Sequence, residues 1–128
     1  MHFHWSAIAW LVLSLHGLSE SIAGDVQYSF SDVQTILAAR CFSCHGPDVA
    51  ESGLALHEST LALAKSDSGL FAIVPGKPEE SELLKRVSTS DEHKRMPLEG
   101  PTLKPQEIAS LRQWIADGAV YQKHWAFV

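Results

Sequence analysis

The sequence has few cysteines and no excess of positive charge, and both shortages limit what the protein can be. Only two cysteines occur among 128 residues, which excludes a disulfide-rich scaffold. The formal net charge is −5, from 10 basic and 15 acidic residues, so no basic surface for nucleic acid is expected. A mildly acidic surface suits a basic protein partner, or simply solubility.

Long hydrophobic runs are also scarce. The apolar stretch "AIAWLVLSLHGL", residues 7–18, is too short to span a bilayer. Ser21 and Ala23 follow it at the −3 and −1 positions of a cleavage after Ala23, as in a secretory signal peptide. The preceding "MHFHW" lacks Lys and Arg, so a retained anchor or an unusual signal stays open. We predict a signal peptide over residues 1–23, a mature chain over residues 24–128 without a transmembrane helix, and export to the periplasm or cell envelope.

Alternation of apolar and polar residues, which marks a half-buried strand, is missing beyond a few positions. Helical patterns take its place. "SFSDVQTILAARC" predicts a helix capped by Ser31, with Gln34 completing a capping box. "KPEESELLKRVS" predicts a second helix from Pro78, and "PQEIASLRQWIADGA" a third from Pro105 to a cap at Gly118. We therefore predict an all-α small domain with long loops.

The two cysteines stand close together in "AARCFSCHGPD", residues 38–48, and a histidine follows directly. Three chemistries use such spacing: a disulfide oxidoreductase, half of a zinc site, and covalent haem attachment through C-x-x-C-H. A thioredoxin-like site needs a strand before the motif, whereas a helix is predicted here. Zinc needs a second ligand pair, and the other histidines are scattered. The motif favours one haem c, with thioethers from Cys41 and Cys44 and iron ligation by His45.

Methionine is scarce too, and this points to a second iron ligand. Met1 belongs to the predicted signal, so Met96 in "HKRMPLEG" is the only methionine of the mature chain. Pro97 favours an extended backbone at Met96, and a methionine in a polar loop is an unusual core residue. His93 in the same loop and His57 remain alternative ligands.

Ligation by His45 and Met96 would raise the reduction potential and leave no open site on the iron. This favours an exported mono-haem electron carrier that works by outer-sphere transfer and is not an enzyme. Arg95, beside Met96, is the best candidate for pairing with a haem propionate, ahead of Arg40 and Lys94. The redox partner is unknown, and a basic one would suit the acidic chain.

Two alternatives stay open. One is a haem peroxidase-like or sensor domain in which Met96 dissociates from the iron. The other is a non-haem interaction module in which the C-x-x-C pair is a plain disulfide. The first would turn over peroxide, and the second would be a colourless protein that folds without haem.

Several motifs together resemble the planctomycete cytochrome c domain. They are "CFSCHGPD", "SGLALH", "IVPGKPEESELLKRV", "RMPLEGPTL", "EIASLRQWIADGA" and "HWAF", in this order over about residues 30–127. The resemblance implies a class I cytochrome c-like fold, with the first and last helices crossing around one covalently bound haem. It implies a core over about residues 30–120 and an HWAF extension over 121–128. It carries over the haem roles of Cys41, Cys44 and His45, and Met96 aligns with the expected axial methionine.

Two departures from the family pattern stand out. Similar sequences usually have Gly-Gly where this chain has Ser52-Gly53, and often Thr or Ser in place of Lys104. The second change removes a good N-cap from the last predicted helix. Neither touches the C-x-x-C-H motif. Such domains usually stand at the N-terminal end of long exported multidomain proteins.

Overall fold

The computed structural model describes residues 28–122, in which the regular structure is helical. Its α-helices are α1 (Phe30–Arg40), α2 (Phe42–His45), α3 (Ser59–Ala62), α4 (Glu82–Ser88) and α5 (Pro105–Ala116). Between residues 28 and 122 there is no strand, only isolated bridges that join His45 to Ala50 and Lys65 to Phe71. The prediction of an all-α domain is confirmed. The predicted signal peptide and the HWAF segment lie outside the described residues.

Helix α1 begins earlier than the sequence pattern suggested. Ser29 is the N-cap: its Oγ accepts the Asp32 N–H at 3.2 Å, and the Asp32 carboxylate accepts the Ser29 N–H at 3.0 Å. These bonds hold the pKa of Asp32 below its usual value. The predicted Ser31 capping box is therefore wrong. The earlier start places Phe30 in the first turn, where its ring lies 6.0 Å from that of Trp114.

The second predicted helix is interrupted. Pro78 begins a short 3₁₀ turn, Pro78–Glu80, and α4 starts only after an extended residue, Ser81. Ser81 is fully buried; its Oγ accepts the Val74 N–H at 2.9 Å and donates to the Lys77 carbonyl at 2.9 Å. A continuous helix through Ser81 is disfavoured because the hydroxyl stabilises the turn that precedes it.

A glycine in the same segment ties this corner to the last helix. Gly76 has a φ of +76°, a left-handed conformation that favours glycine. Its N–H donates to the Ile115 carbonyl of α5 at 2.7 Å. Residues 74–81, with the sequence "VPGKPEES", thus form a hydrogen-bonded corner between α4 and α5.

The core lies where α1 and α4 pack against α5. Trp114 of α5 is buried in it; its ring packs edge-on against Tyr121, and its Nε1–H donates to the Val120 carbonyl at 3.1 Å. The largest fully buried apolar side chains are Val33, Leu37, Ile73, Leu84, Leu111 and Ile115.

An ion pair joins the end of α1 to the start of α5. The Arg40 guanidinium donates through Nε and Nη2 to Glu107 Oε1, both at 3.2 Å. The other Glu107 oxygen accepts the Lys104 N–H at 2.7 Å. This last bond, followed by the Arg40 contact, holds the pKa of Glu107 below its usual value. The N-cap residue, Lys104, has no side-chain oxygen to accept a hydrogen bond. The Glu107 carboxylate therefore makes the capping hydrogen bond at the start of α5.

Candidate functional site

The C-x-x-C-H motif occupies the junction of α1 and α2. Cys41 ends α1, with its N–H donating to the Leu37 carbonyl at 2.9 Å, and α2 then carries Cys44 and His45. Cys41 is partly buried, Cys44 is exposed, and both are free thiols. Burial raises the pKa of Cys41 to about 11. Directly after the motif, Gly46 leaves no room for a side chain, because a Cβ would lie 2.3 Å from the Phe42 carbonyl oxygen.

The His45 imidazole is oriented by the chain segment that follows. Its Nδ1 lies 3.2 Å from the Leu54 carbonyl oxygen. A carbonyl can only accept, so this contact favours the tautomer with hydrogen on Nδ1 and leaves Nε2 as the free donor of an electron pair. The Leu56 N–H donates to the His45 carbonyl at 2.8 Å, which fixes the same segment against α2. Such a backbone partner is typical of histidines that bind metals.

A cavity of about 660 Å³ lies beside the motif. Its volume is within the usual range for small-molecule sites. Cys41, Cys44, His45 and Met96 all line it. Ten of the twenty other lining residues have apolar side chains, and apolar atoms form most of the cavity wall. These ten are Ala39, Leu54, Leu56, Leu70, Ala72, Leu83, Val87, Pro97, Leu98 and Pro101.

Met96 lines the cavity, whereas the alternative ligands His93 and His57 do not. Met96 lies at the cavity wall, half-buried, and packs against the hydrophobic core. His93 is exposed and does not line the cavity; its N–H donates to Asp91 Oδ1. His57 is also exposed, and its ring is roughly perpendicular to that of Phe42, with the centroids 6.4 Å apart. Of the three candidates for a second ligand, the cavity brings only Met96 together with His45.

Charged residues at the cavity differ from those expected. Arg95 does not line it, and its Nη2 lies 3.9 Å from Glu92 Oε1. Arg40 and Arg86 do line it. Each guanidinium is paired with a carboxylate, Arg40 with Glu107 and Arg86 with Glu82.

Sequence reasoning missed Arg86 and the Leu54 carbonyl. For Arg86 a signal was available, since Glu82 precedes it by four residues, the spacing of a helical ion pair. For Leu54 there was none, because any residue type supplies a backbone carbonyl and only the folded chain places it.

The same part of the chain matches a known family. The family model described as "Planctomycete cytochrome C" matches residues 41–100, from the first cysteine through the Met96 loop. Over these residues the chain is similar to the planctomycete cytochrome c family. No curated protein and no solved structure gives a significant match.

This match implies haem c as the cofactor and suggests electron transfer rather than catalysis. Cytochrome c domains are typically exported. Within residues 28–122, no helix is both long and apolar enough to cross a bilayer.

The residues present fit haem c. Two thiols for vinyl groups, a histidine with a free Nε2 and an apolar cavity meet at one place. They do not fit zinc, because no three Cys, His, Asp or Glu side chains between residues 28 and 122 gather as a ligand set.

Proposed function

We propose that this planctomycete cytochrome c domain binds one haem c and transfers electrons by an outer-sphere route, without catalysing a reaction of its own. The observation that carries the proposal is that Cys41, Cys44, His45 and Met96 line one largely apolar cavity. When bound, haem c supplies an iron that gains or loses one electron.

The cysteines and His45 hold the haem in this proposal. Cys41 and Cys44 would form the two thioethers, and His45 Nε2 would bind the iron. The hydrogen bond from Nδ1–H to the Leu54 carbonyl holds the ring in one orientation and increases its basicity.

Met96 would supply the second protein ligand of the iron. Its position at the cavity wall supports this role, as does its packing against the core. Its N–H donates to the Arg86 carbonyl at 3.0 Å, so the backbone that carries the thioether is tied to α4. A methionine ligand stabilises ferrous iron and raises the reduction potential.

The haem propionates would carry negative charge and need positively charged partners on the protein. Arg40 and Arg86 reach the cavity wall, whereas Arg95 contacts Glu92. Arg95 stays a predicted propionate partner, and that role requires it to leave an exposed ion pair, whose loss costs little.

The test is the optical spectrum of the ferric protein, made in a periplasm with cytochrome c maturation machinery. We expect a covalent haem and the weak long-wavelength charge-transfer band of methionine sulfur on ferric iron. Met96→Ala should abolish the band, whereas the control His93→Ala should keep it.

Other outcomes favour the alternatives. A covalent haem without the band, together with peroxide turnover, favours the peroxidase-like or sensor domain. A colourless, folded protein with a Cys41–Cys44 disulfide favours the non-haem interaction module.

Export to the periplasm or cell envelope is part of the proposal. The family and the signal-peptide pattern at residues 1–23 support it. Mass measurement of the exported protein tests it, with cleavage after Ala23 as the expected result. A basic electron-transfer partner is proposed from the acidic net charge of −5.

A further inference from the structure

Arg86 lines the cavity, yet its hydrogen bonds lead to the loop that carries the proposed ligand. Its carbonyl accepts the Met96 N–H at 3.0 Å, and its Nη1 donates to the Lys94 carbonyl at a longer 3.4 Å. The two bonds reach the loop on either side of Arg95. We propose that Arg86 is a positioning residue that holds Met96 on the iron, an inference that rests on the proposed His45/Met96 site.

The Arg86 side chain is itself held in place. Its Nε donates to Glu82 Oε1 at 2.8 Å, one turn earlier on α4. A charge-assisted bond of this length orients the guanidinium and leaves Nη1 directed at the loop. Helix α4 is in turn fixed by the buried side chains of Leu83, Leu84 and Val87.

The other bonds of the loop act within it. The N–H groups of Lys94 and Arg95 donate to the Asp91 carbonyl at 3.0 and 2.9 Å, and the Asp91 N–H donates to Thr89 Oγ1. They shape a turn of mostly exposed residues. The bonds to Arg86 differ because they tie this turn to a packed helix beside the cavity.

Loosening this tie should favour dissociation of Met96. A hydrogen bond from a charged donor usually contributes more than one from a neutral donor. The bond from Arg86 Nη1 to the Lys94 carbonyl is long, at 3.4 Å, and should therefore contribute less. We expect its loss to raise the fraction of protein with Met96 dissociated roughly three- to tenfold. An external ligand binds only the dissociated form, and its apparent affinity rises in proportion to that fraction.

The test uses the ferric holoprotein with imidazole as the external ligand. Arg86→Leu removes the charge and the hydrogen-bond donors without adding a sulfur that could bind the iron. It should bind imidazole roughly three- to tenfold more tightly and show a weaker methionine charge-transfer band. Arg86→Lys, which lacks the fork that reaches Glu82 and Lys94 together, should show a smaller change. Glu82→Gln, which weakens the anchor of Arg86, should shift both readouts in the same direction.

The matched control is Arg112→Leu. Arg112 also forms an ion pair, with Glu79, but does not line the cavity. This variant should leave imidazole affinity and the band unchanged. If Arg86→Leu does not fold, Arg86→Lys serves as the second test variant.

Three results would overturn the inference. Unchanged band and imidazole affinity in the Arg86 variants would show that the loop holds Met96 without the side chain. A changed reduction potential with both readouts unchanged would make Arg86 a propionate partner only. If the unmutated protein has no methionine band, the proposed ligation fails first and the inference fails with it.

Discussion

Ser81→Ala should destabilise the domain more than the same substitution usually does at other positions. The side chain is fully buried, and its Oγ serves the Val74 N–H and the Lys77 carbonyl, both at 2.9 Å. Ser81→Ala leaves the Val74 N–H without this partner, whereas the Lys77 carbonyl still accepts the Glu80 N–H at 3.2 Å. One buried unpaired group costs about 1–3 kcal/mol, so we expect a loss of about 2 kcal/mol.

Urea denaturation of the ferric protein measures this loss as a lower midpoint at an unchanged slope. In thermal unfolding, each kcal/mol should lower the Tm by roughly 4–8 °C for a domain of this size. The visible spectrum should not change, because Ser81 does not line the cavity.

Ser110 provides a matched control, since it is also a buried serine. Its Oγ donates only to the Gln106 carbonyl one turn earlier in α5. Ser110→Ala should stay within about 0.5 kcal/mol, because alanine favours the helix and offsets the lost bond. Equal effects of the two substitutions would refute the role assigned to the corner at Ser81.

Two further predictions concern the turn at Ser52 and the ion pair of Glu107. Ser52 has a φ of +56°, so Ser52→Gly should stabilise the domain by up to about 1 kcal/mol in urea denaturation; a destabilised variant would contradict this. Glu107→Gln should lower the free energy of unfolding by about 1 kcal/mol at neutral pH. Because the pKa of Glu107 is lowered in the folded protein, its contribution to stability is present above the usual pKa of 4.5 and is lost as the pH falls through the lower folded-state pKa. The variant should therefore show a shallower acid dependence of its urea midpoint, and identical profiles would argue against the assignment.

The fold could be predicted in class and in its last helix, but less well at its other boundaries. Pro105 begins α5 and Gly118 follows its end, because proline and glycine act through their own backbone limits. The start of α1 was misjudged because Ser29 and Ser31 are both suitable caps. The packing of the partly buried Phe30 against Trp114 favours the Ser29 cap, and that contact joins distant parts of the chain.

The break before α4 was missed for a similar reason. Local propensity favours one helix from Pro78, since Glu79 and Glu80 suit a first turn. Ser81 instead bonds to Val74 and Lys77, and its burial depends on packing of the whole corner. Propensity is a weak preference that such tertiary contacts override.

The sequence by itself determined the candidate chemistry of the site, because its only two cysteines are directly followed by a histidine and Met96 is its only methionine besides Met1. Only the tertiary structure decided their surroundings. It placed Met96 at the cavity and His93 away from it, and it brought Arg86 rather than Arg95 to the wall. It also supplied the Leu54 carbonyl to His45. The physical reason is that residue type sets what a group can do, whereas burial, orientation and backbone partners arise only when distant segments pack together.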